Sequence, residues 1–144
     1  MSMYSEYDIQ EFRKVAKQYK LETPKEFWLK PLDELAKVCN GIGAESWSIE
    51  KRKALTTALI RYAVCAAIHD VDYEYKVVSK AEADKRFLDN MYKVWLKDYG
   101  WKAYLTISGL LERRIIRTCY YAVVIGGSEA WENGGDKRDE CNTN

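Results

Sequence analysis

The 144-residue sequence holds a single histidine. Zinc clusters of imidazole and thiolate, and metal-dependent phosphohydrolases of the HD type, need several histidines, so one ring argues against both. The four cysteines stand at 39, 65, 119 and 141, and none forms a C-x-x-C spacing. Cys65 and Cys119 fall within helical patterns as small core residues. Cys39 and Cys141 form a possible pair that the sequence does not decide; without an export signal, reduced thiols are expected. There are only two prolines, and the long periodic stretches between them point to an all-α fold. Charge of one sign is missing too: 23 Lys and Arg against 22 Asp and Glu leave +1, so no long-range attraction to nucleic acid is expected. The longest apolar runs, such as 62–68 and 119–125, are too short to span a bilayer. Residues 1–6 lack a basic region followed by an apolar one, so no signal peptide is visible. The expectation is a protein cytoplasmic as synthesised, with virion association or release by a non-classical route left open.

What is present is an ordinary globular composition, 47% apolar and 31% charged, enough for one domain with a sizeable core. The expected domain covers 1–131, and 132–144 reads as a polar, flexible tail. A first helix over 5–20 carries Ile9, Phe12, Ala16 and Tyr19 on one stripe, with Ser5 or Asp8 as cap. A linker over 21–30 holds Pro24 and the pair Phe27-Trp28, and Pro31 opens a short helix over 32–38. A long central helix is predicted over 49–75, capped by Ser46 or Ser48. A third is predicted over 80–98, opened by a capping box of Ser79 and Glu82. A last helix over 103–125 carries Leu111, Ile115, Cys119 and Ala122 on one stripe and stops at Gly126-Gly127. The architecture is thus an antiparallel two-helix hairpin, about 49–75 and 80–98, flanked by an N-terminal helix and a long C-terminal one.

The lone histidine sits inside an apolar stripe. Leu55, Leu59, Tyr62, Ala66, His69 and Tyr73 alternate in steps of four and three, so they share one helix face. On the partner helix Asp84, Phe87, Met91 and Val94 do the same. If the two helices fold back through 76–79, residues equidistant from the turn stand opposite one another. Ala66 then meets Phe87, Tyr62 meets Met91, Leu59 meets Val94, and His69 meets Asp84. A buried imidazole and a buried carboxylate are each costly alone and satisfy one another when paired. The aspartate would hold one ring tautomer, as a general base requires.

Three pieces stand in order: Gly41-Ile42-Gly43, then His69-Asp70-Val71-Asp72-Tyr73, then Ala83-Asp84-Lys85-Arg86-Phe87. Together they resemble the phospholipase A2 superfamily, with its G-x-G calcium loop, its H-D-x-x-Y helix and its aspartate on the antiparallel partner. The A-D-x-x-F context is most similar to the disulfide-poor viral and microbial branch, and this chain likewise has no cysteine between Asp70 and Tyr73. The resemblance spans roughly 38–91. It implies calcium-dependent hydrolysis of a phospholipid acyl ester at a membrane surface that the protein touches only peripherally. It makes His69 the base that activates water, Asp84 its orienting partner and Tyr73 a support for the pair. It makes Asp70 and the carbonyls of Cys39, Gly41 and Gly43 the calcium ligands. Cys39 stands where many relatives have tyrosine, and Gly43 lies further from His69 than is usual in the secreted enzymes.

A structural alternative stands beside each assignment. His69 and Asp84 also read as a satisfied buried pair, Asp70 as a solvated helix residue, Tyr73 as core, and the G-x-G as a plain turn. The whole could be a non-catalytic helical module, virion- or toxin-associated, that kept the scaffold. Phe27, Trp28, Trp47 and Trp101 could rim a lipid surface or fill the core. Lys51-Arg52-Lys53 and Arg113-Arg114 with Arg117 read as solvated faces. No motif supports a serine or cysteine nucleophile, and oligomeric state is not legible.

Overall fold

In a computed structural model of the chain, residues 3–41 and 48–132 are described, less the side chains of 56–58. The fold is all-α. Its helices are α1 (Glu6–Gln18), α2 (Glu26–Leu29), α3 (Leu32–Val38), α4 (Ile49–Ala58), α5 (Ala63–Tyr75), α6 (Lys80–Tyr99) and α7 (Ile107–Gly126), with 3₁₀ turns over Ile60–Tyr62 and Gly100–Ala103. Ile42, Gly43, Trp47, Cys141 and the expected tail beyond Glu132 lie outside the described residues.

Local chemistry explains the helix starts. Ser5 caps α1 and exchanges hydrogen bonds with Asp8, so the two candidate caps act together as a capping box. Ser79 and Glu82 form the same device at α6, and Ser48 caps α4 by accepting from Lys51 N. Acidic residues in the first turns of α1 (Glu6, Asp8), α4 (Glu50) and α6 (Glu82) also suit the positive end of the helix dipole.

α5 is the core helix. Every residue from Ala63 to His69 is buried, as are Val71, Asp72 and Tyr73, in keeping with the apolar run 62–68 that faces the core on all sides. Its alanines allow α6 to approach closely, and α5 and α6 form an antiparallel hairpin whose turn is set by Lys76 in the left-handed region, φ 46°. α7 folds back along α6, while α1, α2 and α3 pack against α5. Trp95, Tyr62, Phe27, Ile9, Leu35, Ile68 and Met91 fill the spaces between these layers. Two polar side chains, buried Asn90 and half-buried Arg13, act as rivets. Asn90 Oδ1 accepts from Glu22 N at 2.9 Å and its Nδ2 donates to Glu22 O at 2.9 Å, tying the 19–25 segment to α6. Arg13 donates to Phe27 O at 2.9 Å and Lys30 O at 2.8 Å, satisfying carbonyls at the end of α2.

Three expectations are corrected. The central helix predicted over 49–75 is broken: Ile49–Leu55 and Ile60–Tyr75 meet at 94°, and Leu59 leaves helical geometry at φ −113°, ψ 33°. β-branched Thr56 and Thr57 weaken the helix there. Beyond the break, Tyr62 is anchored by its hydroxyl to Glu112 Oε2 at 2.7 Å on α7, so tertiary contact overrides the periodic pattern. The linker over 21–30 contains the short helix α2, which four residues cannot announce by periodicity. The last helix starts at Ile107 rather than 103, capped by Thr106. Its inward residues are Gly109 and Ile116, with Cys119 and Val123 packed against the core, whereas Leu111 and Ile115 of the predicted stripe are exposed. α7 is apolar around most of its circumference, so spacing alone could not select the inward face. Among the described residues, no single helix is long and apolar enough to cross a membrane.

Candidate active site

The α5–α6 hairpin brings His69 Nε2 to 2.8 Å from Asp84 Oδ1, with both side chains almost wholly buried. Asp84 is a hub. The Tyr73 hydroxyl donates to the same Oδ1 at 2.6 Å, and Lys80 Nζ donates to Oδ2 at 2.8 Å. Tyr73 lies one turn after His69 on α5, and Lys80 one turn before Asp84 on α6, so each helix supplies two of the four groups at its own i, i+4 spacing. The His69 ring is held between Tyr73 and Phe87, with centroids at 4.1 and 4.8 Å.

The electrostatics follow from this crowding. Burial alone would raise the Asp84 carboxyl, but hydrogen bonds from His69, Lys80 and Tyr73 outweigh it and hold the group below the ordinary carboxylate range. Burial pushes the His69 ring down. Asp84 pulls it back, and the Lys80 ammonium opposes that pull, because it already balances the aspartate's charge; the net lies below the ordinary imidazole value. The ring is therefore neutral at neutral pH. With Nε2–H donated to a carboxylate, the lone pair is on Nδ1, the nitrogen free to accept a proton. Burial, then the bond to Asp84, raises the Tyr73 phenol, so it remains a donor.

The first half of the glycine loop reaches the same end of α5. Asn40 N donates to Asp70 Oδ2 at 2.9 Å, Cys39 is buried with Sγ 3.6 Å from Ala67 O, and Gly41 takes φ 83°, a left-handed geometry that favours glycine. Cys39, Gly41 and Asp70 are thus neighbours; Gly43 lies outside the described residues. Calcium takes hard oxygen donors. Asp70 and the adjacent backbone carbonyls are of that type, so the donor set fits. Among the described residues there is no group of three or more His, Cys, Asp or Glu that could hold a metal, so such an ion would depend on the loop's backbone. Arg52, expected on a solvated face, instead brings Nη1 within 3.5 Å of Asn40 O.

Three participants were not singled out in the sequence. Lys80 was legible as a cation one turn from Asp84, but its further donation to Val123 O at 3.0 Å and Val124 O at 3.4 Å ties Asp84 to the C-terminus of α7 across 43 residues. Trp131 packs edge-on against Tyr73 at 5.2 Å. Gly127 was legible only as a helix stop. A Cβ there would stand 2.7 Å from the Tyr73 hydroxyl and 2.4 Å from Val123 O, so its lack of a side chain is what admits the phenol. Gly127→Ala is expected to destabilise by about 1–3 kcal/mol through overpacking, read as a lower denaturation midpoint. Gly126→Ala is the control, since a Cβ there meets nothing within 4 Å. Equal effects at the two positions would remove this role for Gly127.

Of the aromatic residues considered for a rim, Phe27 is core, Trp28 is half-buried with its indole N–H on Thr23 Oγ1 at 2.7 Å, and Trp101 is exposed. Cys39, Cys65 and Cys119 are free thiols. No family model, curated protein or solved structure matches the chain.

Proposed function

We propose that the protein is a calcium-dependent hydrolase of phospholipid acyl esters, acting peripherally at a membrane surface. The observation that carries this reading is the tautomer-fixing bond from His69 to Asp84 beside an Asp70 that touches the glycine loop. In this mechanism His69 Nδ1 takes a proton from a water molecule as that water attacks the ester carbonyl, and Asp84 stabilises the imidazolium that forms. Proton return from His69 to the departing alcohol oxygen completes the cycle. Tyr73 and Lys80 hold Asp84 so that its Oδ1 stays aligned with the ring. Phe87 and Tyr73 restrict the ring's rotation and exclude bulk water from one side. Asp70 with the carbonyls of Cys39, Gly41 and Gly43 would hold calcium, which when bound supplies positive charge to the ester oxygen.

The test is fatty acid release from phospholipid vesicles with calcium and with chelator. Release should need calcium. Asp70→Ala should weaken calcium binding, measured by calorimetry, by roughly tenfold or more, because ligand charge sets affinity in such sites. The other reading, a helical module whose buried pair is purely structural, is favoured by one observation: three donors already saturate Asp84. It gives no calcium-dependent release and an Asp70→Ala protein unchanged in every assay.

A further inference from the structure

The outward face of α7 carries several large, exposed apolar side chains. Ile107 and Ile125 are each 80% exposed and Leu111 is 53% exposed. Ile107 and Ile125 are eighteen residues apart, about five turns, so they lie on one line of the helix; at about 100° per residue Leu111 and Tyr121 stand about 40° to either side of that line and Ile115 about 80° from it. Single exposed apolar residues need no explanation, but a set of them spread along one side of a 20-residue helix does. Arg114 lies within this face, about 20° from the Ile107–Ile125 line, and Arg117 borders it at about 80°. The one acid in α7, Glu112, points the other way, accepting the Tyr62 hydroxyl.

We propose that this face docks the protein on an anionic lipid bilayer. An exposed apolar face that carries arginine at its middle, with the one acid of its helix turned away, is complementary to acyl chains beneath an anionic headgroup layer. Trp101 at 72% and Leu105 at 74% exposure add apolar surface just before the helix's start. A second copy is a poor occupant. The arginines lie near the middle of α7, so two-fold pairing through that middle sets them against each other with no carboxylate between them. The face also leads to the candidate site: Ile125 is two residues from Gly127, against which the Tyr73 hydroxyl packs, and one residue from Val124, whose carbonyl Lys80 holds. The proposal deepens the hydrolase reading by giving the substrate's bilayer a landing surface and takes its purpose from that reading. Binding is measured without turnover, so the two fail separately.

The experiment is flotation of the full chain with vesicles of phosphatidylglycerol and phosphatidylcholine in equal parts, and with phosphatidylcholine alone, in chelator. Wild type should bind the anionic vesicles more tightly. Arg114→Gln with Arg117→Gln should lose roughly 20-fold, about fivefold for each cation removed, and Leu111→Ser with Ile125→Ser roughly tenfold or more. Lys51→Gln with Lys53→Gln, the same charge change on exposed α4 positions, should lose little. All are surface changes that leave the circular dichroism unaltered. The proposal is overturned if wild type does not float, or if the α4 pair loses as much as the α7 arginines. It is equally overturned if wild type sediments as a dimer that Leu111→Ser with Ile125→Ser dissociates.

Discussion

Replacing His69 with glutamine is expected to lower calcium-dependent fatty acid release by a factor of about 10²–10⁴, the usual contribution of a positioned general base, while leaving the fold intact. Glutamine is close in length, and its amide can still donate to Asp84 Oδ1, so the carboxylate keeps its three donors. What it lacks is a nitrogen that accepts a proton. Activity and stability should therefore separate: initial rates on vesicles collapse, while the denaturation midpoint moves little. Asp84→Asn should behave differently. It leaves the Lys80 ammonium half-buried without its counter-charge, so stability and rate fall together. A His69→Gln protein that hydrolyses at the wild-type rate would refute the hydrolase reading.

The largest effect on stability is expected away from the site, at Arg86. Asp72 is fully buried. Its Oδ1 accepts from Arg86 Nη1 at 2.7 Å, and its Oδ2 has no hydrogen-bond partner. Arg86→Met removes the cation and leaves a buried charge, a loss of about 3–5 kcal/mol; adding Asp72→Asn should restore most of it. The pH dependence gives a second check. Burial, against the opposing pull of Arg86, pushes the Asp72 carboxyl up to about 6 from an ordinary 3.8. The folded protein thus binds this proton more tightly than the unfolded chain. Its contribution to stability is present below about pH 4 and is lost as pH rises through 6, with a slope of at most about 1.4 kcal/mol per unit. His69 works in the opposite sense, since its lowered value means the unfolded chain takes up the proton first as pH falls below 6.5. Comparison of wild type with Asp72→Asn in urea isolates the aspartate. The variant should gain about 1 kcal/mol relative to wild type between pH 5 and pH 7. A pH-independent difference would mean that Asp72 does not titrate in this window.

The hairpin and its polar pair were legible because both rest on short-range rules. The 3.6-residue period places Tyr73 one turn from His69, the capping box at Ser79 sets where α6 begins, and a short turn leaves one antiparallel register in which His69 and Asp84 are opposite. The Asp70–Asn40 contact was anticipated only through the family resemblance, since nothing local in 39–41 points to α5. Other features carried no local signal. The burial of Asp72 against Arg86 follows from the packing of α6 on α5, and the break at Leu59 depends on a tyrosine reaching α7.

By itself, then, the sequence determined an all-α chain, most of its helix starts, and the two residues that would share a proton, because periodicity and capping act within a few residues of each other. The tertiary structure alone decided which face of α7 turns inward, that Lys80 and Gly127 bind the end of that helix to the Asp84 cluster, and that large apolar side chains of α7 remain outside. Those outcomes depend on contacts formed across 40 residues or more, where packing angles rather than residue spacing choose the partner.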